Sequence, residues 1–280
     1  MQTPLRIALL PLLMIMALSA CSPPSSQSSG VPPTPPERLD WPTATFRLPL
    51  DDYGMTPDEQ YKVQLASRIA AAQCTTRGKP QPGYVQYISQ LMTKGQAPTP
   101  NWDFGYWDAN YIRANGYVAP ILDPDYPEAD RKQLEGCLSL PQQQQLQPIS
   151  SAYQSTQASK ELSRLSTQAY VSTLRDSRFI ELRKALASCL AAKNYAVDAQ
   201  SDLGGVEIDS TWTPDRALRA ALAEAECNDQ LTLTQSAVLI ESEYEDEVVA
   251  MNRPLLEDTR RQSNARVRYA VDLLRSAGVR

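Results

Sequence analysis

The stretch "MTPDEQYKVQLASRIAAAQC", Met55 to Cys74, decides the fold class. Thr56 is placed to cap a helix, Pro57 suits its first position, and Glu59 completes a reciprocal capping box. Tyr61, Leu65, Ile69 and Ala72 then recur at helical spacing on one face, so the pattern predicts a helix with Gly78 as its stop. The same Thr-Pro-Asp start returns in "WTPDRALRAALAEAEC", Trp212 to Cys227, and predicts a second helix of the same kind.

Working outward, helical patterning governs most of the chain. Further helices are expected over about 152–175 and over 178–193, where Phe179, Leu182, Leu186 and Cys189 share a face. A last helical run covers about 231–277 and should kink at Pro254, whose ring removes a backbone hydrogen bond. Residues 78–127 are rich in Gly, Pro and aromatic side chains and read as loops around one short helix ended by Gly116. Another helix is expected from about Pro127 to Pro141, carrying Cys137. "PQQQQLQP", residues 141–148, is a polar connector, and "DAQSDLGGVEIDS" interrupts the helices before Trp212. The fold class expected is mainly α: a disulfide-stapled helical assembly with an irregular aromatic-rich region. The halves would be 41–140 and 151–280, joined by 141–150. Each half places a cysteine-bearing helix on either side of an irregular stretch, although Thr-Pro-Asp is too common a helix start to establish a duplication.

The N-terminus carries a different signal. Arg6 precedes an apolar run from Ile7 to Leu18, about half the ~20 residues that a helix needs to cross a bilayer. A basic start, a short apolar centre and small residues before a cut describe a secretory leader. Leu18-Ser19-Ala20-Cys21 resembles the lipobox of bacterial lipoproteins. That resemblance implies a diacylglyceryl group on Cys21, removal of residues 1–20, and a protein held at the cell membrane by its N-terminal lipid. The alternative is an ordinary secretory leader with Cys21 as a bystander. Two acyl chains give the stable anchoring that one does not. Residues 22–40 contain no aromatic residue and only two aliphatic ones, so with Cys21 they form a flexible tether. It would hold the body on the order of tens of ångströms from the lipid.

"LPLDDYGMTPDEQ" (48–60), "FGYWDANYIRANGY" (104–117), "EGCL" (135–138) and "ALAEAEC" (221–227) together resemble an uncharacterised group of actinobacterial secreted proteins and lipoproteins. The chain departs from that pattern at Lys193-Asn194-Tyr195, where a Gly-aromatic pair would be usual. The resemblance implies a Gram-positive envelope setting and supplies no catalytic residues.

Setting Cys21 aside leaves Cys74, Cys137, Cys189 and Cys227, an even set that reads as two disulfides in an exported chain, with three possible connectivities. Pairing within each half favours Cys74 with Cys137 and Cys189 with Cys227. The 280 residues include no histidine, which excludes Ser-His-Asp and Cys-His hydrolase machinery and His-ligated zinc, iron or copper. The formal charge is −5, one unit more negative once Arg6 leaves with the leader, and argues against nucleic-acid binding. No cofactor motif is read, and oligomeric state is open.

Three clusters are candidate sites. Trp102, Phe104, Tyr106, Trp107 and Tyr111, flanked by Asp103 and Asp108, could stack on wall sugars; the preferred reading is that these rings cover a core. "ESEYEDE" (241–247) and "DPDYPEAD" (123–130) could attract cations. Neither fits a calcium loop, so the first reads as a solvated helix face and the second as turn chemistry. Arg260, Arg261, Arg266, Arg268 and Arg275 follow the acidic run and could meet anionic headgroups, wall polymers or an acidic partner; the alternative is ion pairing within the bundle. The function expected is a non-enzymatic, membrane-anchored lipoprotein binding an envelope polymer, solute or protein. The competitors are a carboxylate-dependent wall hydrolase, which needs a buried carboxylate pair facing a cleft, and a purely structural or adhesive surface protein.

Overall fold

In the computed structural model, the residues described are 38–76, 78–96, 98–117, 157–197, 203–209 and 211–280. They are mainly α-helical. The capping box forms as the sequence predicts: Thr56 Oγ1 accepts from Glu59 N and Glu59 Oε2 accepts from Thr56 N at 2.8 Å, opening α1 (Pro57–Thr75). Then follow α2 (Pro82–Lys94), α3 (Ala109–Asn115), α4 (Gln157–Arg175), α5 (Ser177–Ala192), α6 (Pro214–Leu231) and α7 (Leu233–Ser276). Thr213 caps α6 as Thr56 caps α1, by accepting from the amide three residues on. A small hairpin pairs β1 (Leu39–Asp40) with β2 (Thr45–Phe46), and a 3-10 turn covers Pro49–Tyr53. No helix among the described residues is long and apolar enough to cross a membrane.

The spine is α7. Its 44 residues reach about 66 Å at 1.5 Å per residue, running unbroken through Pro254. A single left-handed residue, Thr232, separates it from α6. Its first turns join the largest core, with Phe179 and Leu186 of α5, Ala220 and Cys227 of α6, and the rings of Phe46, Phe104 and Trp107. Its middle meets Leu50 and Leu165 through Val248 and Leu256. Its end meets α1 and α2 through Ala270 and Leu274. The stretches 41–140 and 151–280 therefore do not own separate cores, and the described residues belong to one compact unit.

One helix was not expected. α2 lies in the stretch read as loops, although Pro82 starts it and Tyr84, Val85, Ile88, Leu91 and Met92 give it an apolar face. The glycines and prolines flanking it obscured a regular period. Cys189 and Cys227 form the disulfide expected, tying α5 to α6. Cys137, and with it the second expected bridge from Cys74, lies outside the described residues. So do the expected helix over 127–141, the connector 141–150, "DPDYPEAD" and the leader and tether through residue 37.

Candidate functional site

The aromatic stretch folds inward. Asp108 caps α3 by accepting from Tyr111 N at 2.8 Å, and the turn before it directs Phe104 and Trp107 into the largest core. Trp107 is 1 % exposed, so it offers no face to a sugar ring; this corrects its placement among binding-surface candidates. Trp102 packs edge-on to Tyr106, Trp107 and Tyr111 at centroid separations of 5.4–6.4 Å, an arrangement typical of packed rings.

The acidic run is a solvated face only in part: Glu243, Asp246 and Glu247 are exposed, but two of its acids are not. Glu241 and Glu245 are 3 % and 1 % exposed, because α7 turns this stripe toward the 3-10 turn and the aromatic loop. Glu245 Oε2 accepts from Leu50 N at 2.7 Å. Burial pushes Glu245 up to about 7 against the opposing pull of that amide, while Asp51 adds to the rise and Arg38 reduces it. Burial, followed by the charges of Glu245, Asp103 and Asp51, pushes Glu241 up to about 8. Burial also raises Asp51, which accepts from Leu48 N at 2.8 Å, and Asp103. A third buried glutamate stands elsewhere: Glu224 of α6 accepts from Tyr106 N at 3.0 Å and Val206 N at 2.8 Å, and burial pushes it up to about 7. Among the described residues no group of acids or cysteines has metal-holding geometry.

A large opening lies elsewhere on α7. Between the 3-10 turn, α1, α4 and the second half of α7 runs a groove of about 1160 Å³. Seven side-chain hydroxyls and four side-chain amides line it beside four aliphatic side chains, so polar groups are spread along a wall whose surface is still more carbon than polar atoms. Four cations reach it, Lys160, Arg164, Arg175 and Arg266, against one carboxylate, Asp51. The polarity follows from α4, which buries Leu165, Ala169 and Thr173 and turns Ser163, Thr167 and Gln168 away from the core.

Arg266 occupies an unusual place on α7. Thr259, Ser263, Arg266 and Ala270 follow one another at helical spacing, and Thr259 and Ala270 are buried. Arg266 thus stands on the inward face, where the helices diverge to leave the groove. Burial lowers its pKa, and no carboxylate pairs with it among the described residues. Two others of the five arginines named from the sequence are engaged otherwise. Arg260 donates to Gly54 O and lies 3.4 Å from Glu59, pinning the 3-10 turn to α7; Arg261 pairs with Asp258 at 2.9 Å. None of Trp102, Tyr106, Trp107, Arg260 and Arg261 lines the groove. The signal that could have singled out Arg266 was its inward register between Thr259 and Ala270.

Compared with known proteins, the chain matches no family model, no curated protein and no solved structure.

Proposed function

We propose that this chain is a membrane-anchored extracytoplasmic lipoprotein, held by a lipid on Cys21, which binds an envelope polymer or solute in the groove between α1, α4 and α7. The observation that carries the reading is the set of hydroxyls, amides and four cations that converge on the groove, polar handles set in a partly apolar wall. Binding is favoured over hydrolysis by the position of the acids. Of the clustered carboxylates Asp51, Asp103, Glu241 and Glu245, Asp51 alone lines the groove, and its carboxylate is engaged by the Leu48 amide. A general acid and base must both reach the substrate.

The test is retention of the purified full chain on isolated envelope material, compared with Ser163→Trp. Ser163 is exposed in the groove wall, so the indole fills the opening without entering a core. Retention that falls sharply in the variant supports the reading, and equal retention of both proteins removes it. Release of soluble envelope fragments that stops in Asp51→Asn would replace binding by hydrolysis.

A further inference from the structure

We infer that the groove takes a polyol-phosphate chain, with the Arg266 guanidinium seated on a phosphodiester and the hydroxyl and amide walls receiving the polyol. This rests on the groove being the binding site and adds the chemistry of its ligand.

The cations come first. The chain as a whole carries −5, yet the groove gathers four cations around one carboxylate. Arg164 is held by Glu161, and Asp51 by the Leu48 amide. Lys160, Arg175 and Arg266 have no carboxylate partner among the described residues; Arg253 and Arg268 of α7 also have none but are exposed, whereas Arg266 is half-buried. An unpaired cation on a half-buried inward face is destabilising until an anion arrives. A planar guanidinium suits phosphate, which it can grip through two parallel N–H bonds.

The neutral groups supply the second argument. The hydroxyls of Thr167, Ser172 and Thr259 donate to the backbone oxygens of Ser163, Gln168 and Leu255, at 2.8–3.0 Å. The amide nitrogens of Gln60 and Gln262 donate to Met55 O and Asp258. Those groups keep oxygen lone pairs for a ligand, while Lys160, Arg175 and Arg266 offer charged donors beside the neutral hydroxyls of Ser163, Ser166 and Ser263. The complement is a molecule that carries both hydroxyl donors and anionic acceptors. A neutral glycan leaves the cations unanswered, and a bare polyanion leaves the oxygens unanswered. The volume of about 1160 Å³ exceeds the ~300–1,000 Å³ of a small-ligand pocket and suits a chain of repeats.

A glycerol phosphodiester occurs in a free polyol-phosphate chain and in the headgroup of phosphatidylglycerol, so the experiment separates the two sources. The full chain, with Cys21→Ser to remove any lipid, is titrated calorimetrically with a glycerol-phosphate hexamer and with an N-acetylglucosamine hexamer. It is also floated with phosphatidylglycerol vesicles and with phosphatidylcholine vesicles. The expected result is salt-sensitive binding of the glycerol-phosphate hexamer, lost in Ser163→Trp, weakened at least tenfold in Arg266→Gln and unchanged in Arg261→Gln. Because Arg266→Gln removes an unpaired cation, its melting temperature should match or exceed the parent's, which excludes misfolding as the cause. Flotation with phosphatidylglycerol and no binding of the soluble hexamer, again lost in Arg266→Gln, supports the same phosphodiester contact with the headgroup as its source. Binding of the neutral hexamer that is blocked by Ser163→Trp and indifferent to Arg266→Gln overturns the phosphate inference and leaves the groove standing. No binding of any probe, or binding indifferent to Ser163→Trp, overturns both.

Discussion

Glu245 and Leu50 lie 195 residues apart in the sequence, and the Glu245 carboxylate accepts the Leu50 amide at 2.7 Å in a buried setting. That bond fastens the 3-10 turn, one wall of the groove, to the helix that carries Arg266. Leu50 and Val248 complete the joint with Leu165 and Leu256. The groove is therefore framed by a buried acid that faces Asp51 and Glu241, with Arg38 offsetting part of their repulsion.

Stability should fall as pH rises. Glu224, Glu241 and Glu245 are pushed up to about 7, 8 and 7 from 4.5, so between the ordinary and the raised values the native state holds more protons than the unfolded chain. Their contribution is present in full below the ordinary carboxylate range and is lost as pH rises through about 7 to 8. The urea midpoint should be higher at pH 5 than at pH 8.5, by about 2 kcal/mol or more in unfolding free energy. Asp51 and Asp103 add to the trend, and Arg38 moderates it at Glu245. A midpoint that rises toward pH 8.5 would contradict this.

Two glutamate-to-glutamine changes should differ in size. Glu245 uses one oxygen, Oε2, so Glu245→Gln keeps an acceptor for Leu50 N, removes the ionisable group and flattens the pH dependence. Glu224 uses both oxygens, Oε1 for Tyr106 N and Oε2 for Val206 N, and a glutamine nitrogen cannot accept. Glu224→Gln should cost about 1–3 kcal/mol at pH 5, where Glu245→Gln is near neutral. Equal effects in chemical denaturation would remove the distinction.

The cradle around Glu224 should reject side chains. A Cβ on Gly205 would stand 2.8 Å from Glu224 Oε1, and Gly105 adopts φ +84° with the same carboxylate against it. Gly105→Ala and Gly205→Ala should each destabilise by about 1–3 kcal/mol, Gly105 through strain as well as crowding. Gly83→Ala in α2, where an added Cβ meets nothing within 4 Å, is the control and should leave the melting temperature unchanged or raised.

Reducing the bridge between α5 and α6 should matter more than any single surface change. Cys189 and Cys227 are 38 residues apart, and a loop of that length contributes about 4 kcal/mol through the unfolded chain. Denaturant midpoints with and without reductant measure the difference, and a shift under 1 kcal/mol would show that the closed loop contributes little.

The anchor has a chemical readout. Growth with an alkyne fatty acid should label the full chain in a bacterial lipoprotein-processing host, and Cys21→Ser should abolish both the label and recovery in the membrane fraction. Label that persists in Cys21→Ser would remove the lipid from Cys21.

The helices were legible because their signals are local. The capping box at Thr56 and Glu59, the matching start at Thr213 and the shared face of Phe179, Leu182 and Leu186 need only neighbouring residues to be read. The run from Pro82 to Lys94 carries an equally local signal that its glycine- and proline-rich flanks obscured. The bridge between Cys189 and Cys227 followed from two adjacent helices with one cysteine each.

Read from its residues alone, the chain is helical and without histidine, and Cys189 with Cys227 is the favoured pairing among three connectivities. Tertiary structure alone decided which face of α7 is inside. Glu241, Glu245 and Arg266 read as charges on a solvated helix, since charge is costly to bury and a helix exposes most of its circumference. The 3-10 turn, the aromatic loop and α4, each from a distant part of the chain, close over that face. Burial depends on which surfaces meet, and those meetings join residues as far apart as Leu50 and Glu245.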